Sequence, residues 1–285
     1  MQFGAGLILS FLSAIAVNWA YSRQHDAVAE MPRISLRRPR HLVGLLLRDR
    51  QWVASFGAES LGWLFYLAAL RLSPISLVQG VGASGIAVLA LASARGHPSR
   101  LARFEQLAVV VGFAGLLLLS LSLFDTTQSD KAPGGVSVAF WLAALTAGAA
   151  ALAIVRVRMA RAAALGLASG ILFAGGDICS KLVVYGGIWL VAAAPLLAMY
   201  AAGTALLQAA FQQGSALTSA GIATLATNAV PIVAGFVLFD EQLPESAKGA
   251  LQLVGFGALV AGAALLARTR TPAEGGGEPL LDADG

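Results

Sequence analysis

Charged residues are scarce in this sequence. Asp, Glu, Lys and Arg together make up 12% of the 285 residues, whereas ordinary soluble domains carry about 25%. A soluble chain of this length must cover its surface with polar groups, and these side chains are too few to do so. We therefore exclude a water-soluble globule and expect lipid to be the solvent over most of the surface.

Cysteine and histidine are also rare. Cys179 is the only cysteine, so no disulfide can form within the chain, and the three histidines lie in short polar stretches. A structural zinc site and a Cys–His nucleophile are therefore not expected. The chain also lacks the Gly-rich P-loop motif that binds nucleotide phosphates, so we expect no ATPase activity of its own and no cofactor.

Long apolar runs are what the sequence does contain, since 58% of its residues are hydrophobic. A helix needs about 20 mostly apolar residues to cross a bilayer. Nine segments meet this requirement, at 3–21, 52–70, 74–94, 106–124, 136–155, 162–185, 188–209, 216–238 and 249–267. We predict an all-α integral membrane protein with about nine transmembrane helices, located in the cell membrane or an inner membrane.

The positive charges lie between the apolar runs, and their distribution predicts the orientation. With the N-terminus outside, the arginines of 22–51, 95–103, 156–161 and 268–270 all fall in cytoplasmic segments. Short positive loops stay in the cytoplasm, so we predict an N-out, C-in arrangement. The net charge of +4 is explained by this topology signal. We expect the lipid bilayer as a partner and no nucleic acid.

A weak internal repeat relates the third and fourth predicted spans to the eighth and ninth. One fixed shift aligns five residues with identical ones: Ser73 with Ser219, Ala83 with Ala229, Ile86 with Ile232, Pro98 with Pro244 and Gln106 with Gln252. The two copies run in opposite directions through the predicted topology, as the inverted repeats of transporters do. The alternative is that apolar helices resemble one another by chance.

The repeat divides the chain into segments. We predict a first half over 1–135, a linking span and loop over 136–161, and a second half over 162–267. The basic connection 22–51 is interpreted either as a solvated loop or as a short amphipathic helix on the membrane surface. The Gly-rich, acidic tail 268–285 is expected to be disordered in the cytoplasm.

Two segments carry a family resemblance. The stretches 65–80 (FYLAALRLSPISLVQG) and 226–244 (ATNAVPIVAGFVLFDEQLP) resemble the paired motifs of the drug/metabolite transporter (DMT) superfamily, in its EamA-like repeats. Gly57, Glu59, Tyr66, Leu77 and Val78 look most like the nine-span NIPA-type magnesium transporters. The resemblance implies an inverted-repeat helical bundle that carries small solutes.

Charged residues within the predicted spans are candidate site residues, because a charge in a span costs about 2.5–3.5 kcal/mol on insertion scales. Glu59 is one, and it either binds a proton or cation or makes a hydrogen bond between helices. Asp177 and Lys181 are four residues apart on one helix face, so they either form a structural ion pair or take part in substrate binding. Gly175 and Gly176 are candidates for a local break of that helix.

Three neutral residues, Gln79, Thr224 and Asn228, are further candidates for lining a pathway. Asn228 precedes Pro231 by three residues, and a proline leaves one helix carbonyl without its usual donor. Pro231 is therefore a third helix-break candidate. Ordinary helix packing is the alternative for each of these residues. Glu59 and Asp177 are the only candidate metal ligands, and only if the chain carries a divalent cation.

These features favour a secondary transporter that moves a small polar solute by alternating access, with proton coupling left open. The alternatives are a NIPA-like magnesium carrier and a non-transporting membrane scaffold. An enzyme is not expected, because the spans hold no paired acids, histidine base or metal cluster. The expected partner is a small molecule or an ion, and pairing of two copies of the chain stays open.

Overall fold

The computed structural model describes residues 2–82, 84–94, 102–122, 133–154, 161–240 and 247–268. Within these ranges every regular element is a helix. The helices are α1 (Gln2–Ala29), α2 (Pro39–Arg48), α3 (Arg50–Leu72), α4 (Ile75–Gly82), α5 (Gly85–Ser93), α6 (Arg103–Ser122), α7 (Gly135–Ile154), α8 (Arg161–Tyr185), α9 (Ala193–Phe211), α10 (Ala216–Leu238) and α11 (Ala247–Arg268). A short 3₁₀ helix, Gly187–Ala192, leads into α9.

Among the described residues, six helices are long and apolar enough, by length and composition, to cross a membrane. They are Gly4–Ala29, Arg50–Leu72, Gly135–Ile154, Arg161–Tyr185, Gly187–Phe211 and Ala216–Leu238. The described part of the chain thus has only helices as regular elements, and these six indicate a membrane protein of the multi-pass type. The predicted spans 106–124 and 249–267 fall largely on α6 and α11, which are not among these six.

The predicted span 74–94 consists of two shorter helices, α4 and α5. Where α4 and α5 meet, two backbone hydrogen bonds join residues three apart, as in a 3₁₀ turn: Ser84 N donates to Val81 O (3.0 Å) and Ala87 N donates to Ser84 O (3.1 Å). Gly82 and Gly85 flank this turn, and glycine is a poor helix former. Ala83, Pro98 and Pro244 of the repeat alignment, Glu241 and the tail after Arg268 lie outside the described residues.

The basic connection 22–51 is largely helical, which favours the amphipathic helix over the solvated loop. The first helix continues to Ala29, and Pro39–Arg48 form α2. Leu42 and Leu46 of α2 are buried in the protein, whereas Val43 and Leu47 are 52% and 61% exposed. Part of the apolar face of α2 therefore packs against the rest of the chain, and part of it stays exposed.

The side chain of Gln212 holds the segment between α1 and α2 in place. Its Oε1 accepts a hydrogen bond from Ile34 N (2.8 Å), and its Nε2 donates to Pro32 O (3.0 Å). On the preceding helix, His25 Nε2 lies 3.2 Å from Gly214 O. These contacts attach the end of α1 to the connection between α9 and α10.

Helix α8 is the central helix of the bundle. In its most apolar window 89% of the residues are buried, compared with 11% for α7. It packs against α7, α9 and α10. Gly166 and Gly170 of α8 lie directly against the backbone of α10 at Ser219 O and Ala223 O. These two small residues therefore allow α8 and α10 to pack closely.

The other helix contacts form a regular arrangement. Helix α1 packs against α3, α4 and α5, whereas α8 packs against α9 and α10. Helices α4 and α5 pack against α10, and α6 packs against α11. Helix α7 lies outside this group, with Val136 86% and Ile154 75% exposed. Large apolar side chains on the outside are expected where lipid is the solvent.

Candidate functional site

A cavity of about 490 Å³ lies between α1, α2, α3, α4, α8, α9 and α10. Its volume is within the range of small-molecule binding sites, about 300–1,000 Å³. The lining includes five of the six predicted pathway residues: Glu59, Gln79, Asp177, Thr224 and Asn228. The structure therefore brings together residues from four separate predicted spans, whereas Lys181 is not among the lining residues.

Asp177 is the centre of a hydrogen-bond network in this cavity. Gln79 Nε2 donates to its Oδ2 (2.7 Å), and the Tyr200 hydroxyl donates to its Oδ1. Gln79 Nε2 also donates to the Tyr66 hydroxyl oxygen (2.9 Å). The carboxyl group is 5% exposed, and each of its oxygens accepts one hydrogen bond. The network joins α3, α4, α8 and α9, and such bonds to a charged acceptor are stronger than neutral ones.

The two glycines before Asp177 allow α9 to approach. A Cβ on Gly176 would lie 2.9 Å from Tyr200 Cε2, and a Cβ on Gly175 would lie against the side chain of Met199. The short distance between the two helices is what places the Tyr200 hydroxyl on Asp177. Helix α8 is continuous through both glycines, so local opening at this point stays a prediction.

Lys181 lies one turn beyond Asp177 and contacts different groups. Its Nζ donates to Leu70 O (3.3 Å) and lies 5.8 Å from the centre of the Tyr185 ring. Leu70 is in the last turn of α3, where the helix dipole favours a positive charge. The contacts described for Asp177 are with Gln79 and Tyr200, and those described for Lys181 are with Leu70 and Tyr185. The ion pair between Asp177 and Lys181 stays a prediction.

Glu59 belongs to a second network, at another part of the cavity wall. Gln24 Nε2 donates to Glu59 Oε2 (2.6 Å), and Gln208 Nε2 donates to Gln24 Oε1 (2.7 Å). Gln24 and Gln208 are completely buried. These bonds connect α3, α1 and α9. The helix–helix hydrogen bond that the sequence left open for Glu59 is therefore present, and the same carboxyl group also lines the cavity.

Thr224 and Asn228 form a third polar group, together with Asn18 of α1. Thr224 Oγ1 donates to Asn18 Oδ1 (3.0 Å), and Asn228 Nδ2 donates to Thr224 O (2.7 Å). Asn228 Oδ1 faces Gly82, where a Cβ would lie 3.0 Å away. Helix α10 continues through Pro231. Because proline has no N–H, the carbonyl of Thr227 lacks its usual helical donor at this point.

Aromatic side chains form one continuous part of the lining, which we call the aromatic wall: Tyr21, Trp63, Phe173 and Tyr200. The Trp63 and Tyr200 rings meet edge to face with centroids 6.0 Å apart, and the Phe173 and Tyr200 centroids are 5.8 Å apart. Tyr21 stacks on Phe173 at 6.3 Å. Within the cavity lining described, no residue is Lys, Arg or His.

Sequence reasoning missed Tyr200 and Gln24 as site residues. Tyr200 is the only tyrosine within 188–209, so a single tyrosine in an apolar span was the available signal. Gln24 was placed in the loop after the first span, and only the extension of α1 to Ala29 makes it part of the bundle. Neither residue carries a formal charge, which is why the cost of burial did not draw attention to them.

The described part of the chain contains no group of three or more His, Cys, Asp or Glu residues that could hold a metal ion. Within the cavity lining, carboxylates come from Glu59 and Asp177. Several lining residues belong to the two segments that carry the family resemblance: Tyr66, Val78 and Gln79 in the first, Thr227 and Asn228 in the second. Comparison with known proteins gives no match to a family model, to a curated protein or to a solved structure.

Proposed function

We propose that this chain is a secondary transporter that moves a small polar solute across the membrane by alternating access. The observation that carries the proposal is the cavity of about 490 Å³, in which Glu59 and Asp177 meet amide and hydroxyl groups between apolar helices. A charged side chain within an apolar span costs about 2.5–3.5 kcal/mol. Two such residues at one cavity are better explained by a solute pathway than by packing alone.

The proposal includes nine spans arranged as an inverted repeat. Helices α4 and α5 together would form the third span, with α6 and α11 as the fourth and ninth. In the first half α1 contacts α3, α4 and α5, and in the second half α8 contacts α9 and α10 in the same way. Two further sets of contacts, α4 and α5 with α10 and α6 with α11, pair equivalent helices of the two halves. This correspondence supports the repeat.

A pair of glycine contacts supports the same alignment. Gly6, near the start of α1, lies against the side chain of Ser73. Gly166, near the start of α8, lies against the backbone of Ser219. Ser73 and Ser219 are residues that the sequence shift aligns. Inverted repeats of this kind allow two halves to exchange inward-open and outward-open states around a central site, and α7 would be the linking span outside both halves.

Glu59 is our candidate for the residue that carries the coupling proton. A carboxyl group at a cavity that opens alternately to the two sides can take up a proton on one side and release it on the other. The hydrogen bond from Gln24 (2.6 Å) holds the carboxyl at the wall in a fixed position. We place the protein in the cell membrane or an inner membrane, N-out and C-in, because the basic connections then lie in the cytoplasm.

A magnesium carrier is the alternative within transport. Mg²⁺ demands oxygen ligands in near-octahedral geometry and usually keeps several waters. The cavity offers two carboxylates in separate networks, and much of its remaining lining is aromatic or aliphatic. This lining favours an organic solute over a hydrated divalent ion.

The proposal is tested with purified protein in sealed liposomes. Uptake of amino acids, amines, nucleosides and Mg²⁺ is measured with and without a pH gradient, for the wild type, Glu59→Gln and Glu30→Gln. Glu30 is an exposed carboxylate at the end of α1 and serves as the matched control. We expect proton-dependent flux of one organic solute in the wild type and in Glu30→Gln, and its loss in Glu59→Gln.

Two results would contradict this proposal. Undiminished proton-coupled flux in Glu59→Gln would remove the coupling role of that residue. Proton-independent flux of Mg²⁺ alone would replace the organic solute with the magnesium alternative.

A further inference from the structure

The charge of the cavity lining selects the charge of its occupant. Its charged side chains are the carboxylates of Glu59 and Asp177, and Lys, Arg and His are absent from the lining described. Lys181, the nearest basic residue on α8, directs its Nζ to Leu70 O and the Tyr185 ring. An anionic solute would be repelled by both carboxylates. A cation would compensate the negative charge of these carboxylates, whose described hydrogen-bond partners carry no positive charge.

The hydrogen bonds at Asp177 leave room for such a cation. Tyr200 donates to Oδ1 and Gln79 donates to Oδ2. A carboxylate oxygen has two lone pairs, so each of these oxygens can accept one more hydrogen bond. Both neighbours act as hydrogen-bond donors to Asp177. The carboxyl group therefore lines the cavity with acceptor capacity to spare.

A cluster of aromatic rings adjoins the Asp177 carboxyl group through Tyr200. Tyr200 contacts Asp177 directly, and its ring packs against Trp63 (6.0 Å) and Phe173 (5.8 Å). The face of an aromatic ring attracts organic cations, and ammonium ions are commonly recognised in this way. A hydrated metal ion gains little from such surfaces, because its water shell keeps it away from them. Rings next to a buried carboxylate thus favour an ammonium group that carries apolar substituents.

The size of the cavity agrees with an organic occupant. Its volume of about 490 Å³ is much larger than a single inorganic ion needs and falls in the range of drug-sized ligands. Aliphatic residues, among them Leu42 and Leu46 of α2, line another part of the wall. An apolar body attached to the ammonium group would contact these residues and the aromatic wall.

We propose that the cavity binds an organic ammonium ion, with its nitrogen at Asp177 and its apolar part against the aromatic wall. This inference rests on the proposed transport function and names the class of its solute. Asp177 contacts the ammonium group, Tyr200 and Gln79 position the carboxylate, and Trp63 and Phe173 supply ring surface.

The test is equilibrium dialysis of three radiolabelled probes against the protein in lipid nanodiscs, with empty nanodiscs as the blank. The probes are benzyltrimethylammonium, benzyl alcohol and phenylacetate, which share a benzyl group and differ in charge. The quaternary ammonium keeps its charge at every pH. We expect benzyltrimethylammonium to bind at least tenfold more tightly than either of the other probes.

Variants separate the contributions of the site. Asp177→Asn keeps the shape of the side chain and should weaken binding of benzyltrimethylammonium at least tenfold. Trp63→Leu should weaken it about fivefold, as expected for the loss of one cation–π contact. Glu30→Gln, which removes a carboxylate outside the cavity, should bind as the wild type does. If Asp177→Asn fails to fold, the order of the probes on the wild type and the effect of Trp63→Leu decide the matter.

The inference is overturned if benzyl alcohol or phenylacetate binds as tightly as the ammonium probe, if none of the three binds, or if Asp177→Asn and Trp63→Leu both bind it unchanged. The uptake panel distinguishes this failure from failure of the transport proposal. Proton-coupled flux of a neutral or anionic solute would leave the transporter standing and reject the ammonium class. Absence of flux for every solute would count against transport itself.

Discussion

The contact between α8 and α10 makes the effect of one substitution, Gly170→Ala, calculable. A Cβ added to Gly170 would lie 2.8 Å from Ala226 Cβ and 2.9 Å from Ala223 Cα, and closer still to Ala223 O. These are backbone and methyl atoms, which cannot rotate away. The two helices must therefore move apart by several tenths of an ångström, which also stretches the hydrogen bond from Thr227 Oγ1 to Gly170 O (3.2 Å).

The expected magnitude follows from two opposing effects. Overpacking of a close contact costs about 1–3 kcal/mol, whereas replacing glycine with alanine in a helix favours folding by about 1 kcal/mol. We expect Gly170→Ala to lower the free energy of unfolding by up to about 2 kcal/mol relative to the wild type. The matched control is Gly148→Ala on α7, where nothing lies within 4 Å of the added Cβ. That variant should be as stable as the wild type or more stable.

The assay is reversible unfolding in mixed micelles, followed by circular dichroism as the fraction of denaturing detergent rises. Both variants add the same methyl group to a helical glycine, so their difference reports the contact alone. A Gly170→Ala protein as stable as Gly148→Ala would refute the close approach of α8 and α10.

Two further predictions concern the connection after α1 and the absence of a structural metal. Gln212→Ala removes the hydrogen bonds to Ile34 N (2.8 Å) and Pro32 O (3.0 Å), so limited proteolysis should cut within 30–38 faster than in the wild type. Equal rates of cleavage would contradict the role of Gln212 in holding this segment. The described residues hold no group of three potential metal ligands, so EDTA should leave the unfolding midpoint unchanged, and a clear drop would reveal a metal site that this account lacks.

The sequence predicted some helices closely because their ends carry strong local signals. The predicted span 216–238 matches α10, and Ser215 at its start accepts a hydrogen bond from Thr218 N (3.1 Å). Helix α3 begins two residues before the predicted span at 52, and Asp49 caps it through Trp52 N (2.7 Å). Apolar runs with a capping residue at the N-terminal end are readily recognised.

Other features depended on partners distant in the sequence. The end of α1 was placed eight residues too early, at 21 instead of Ala29, because Gln24 and His25 look like loop residues. Their polar atoms contact Gln208 and Gly214 O instead of water. The sequence also did not predict that the apolar segment 74–94 contains two helices, α4 and α5, or that the side chain of Asn18 lies against Gly85. Such contacts have no local signature.

As with the fold, part of the candidate site was predicted from the sequence and part was not. Glu59, Gln79 and Asp177 were identified because polar groups in apolar spans are costly and therefore informative. Tyr200 was not, because a tyrosine in an apolar helix is common and its role depends on the Asp177 carboxyl across the helix contact. The apolar part of the lining was equally hidden, since sequence alone does not show which aromatic residues face inward.

The most direct test of the central claim is whether the cavity opens to both sides of the membrane. Cys179, the single cysteine, is replaced by alanine, and Thr204, which lines the cavity on α9, is replaced by cysteine. A charged, membrane-impermeant thiol reagent is then applied from either side of oriented vesicles. A cysteine in place of Ala147, exposed on α7, is the lipid-facing control and should not react. The account predicts that Thr204→Cys is labelled from both sides, and labelling from one side only, or from neither, would contradict it.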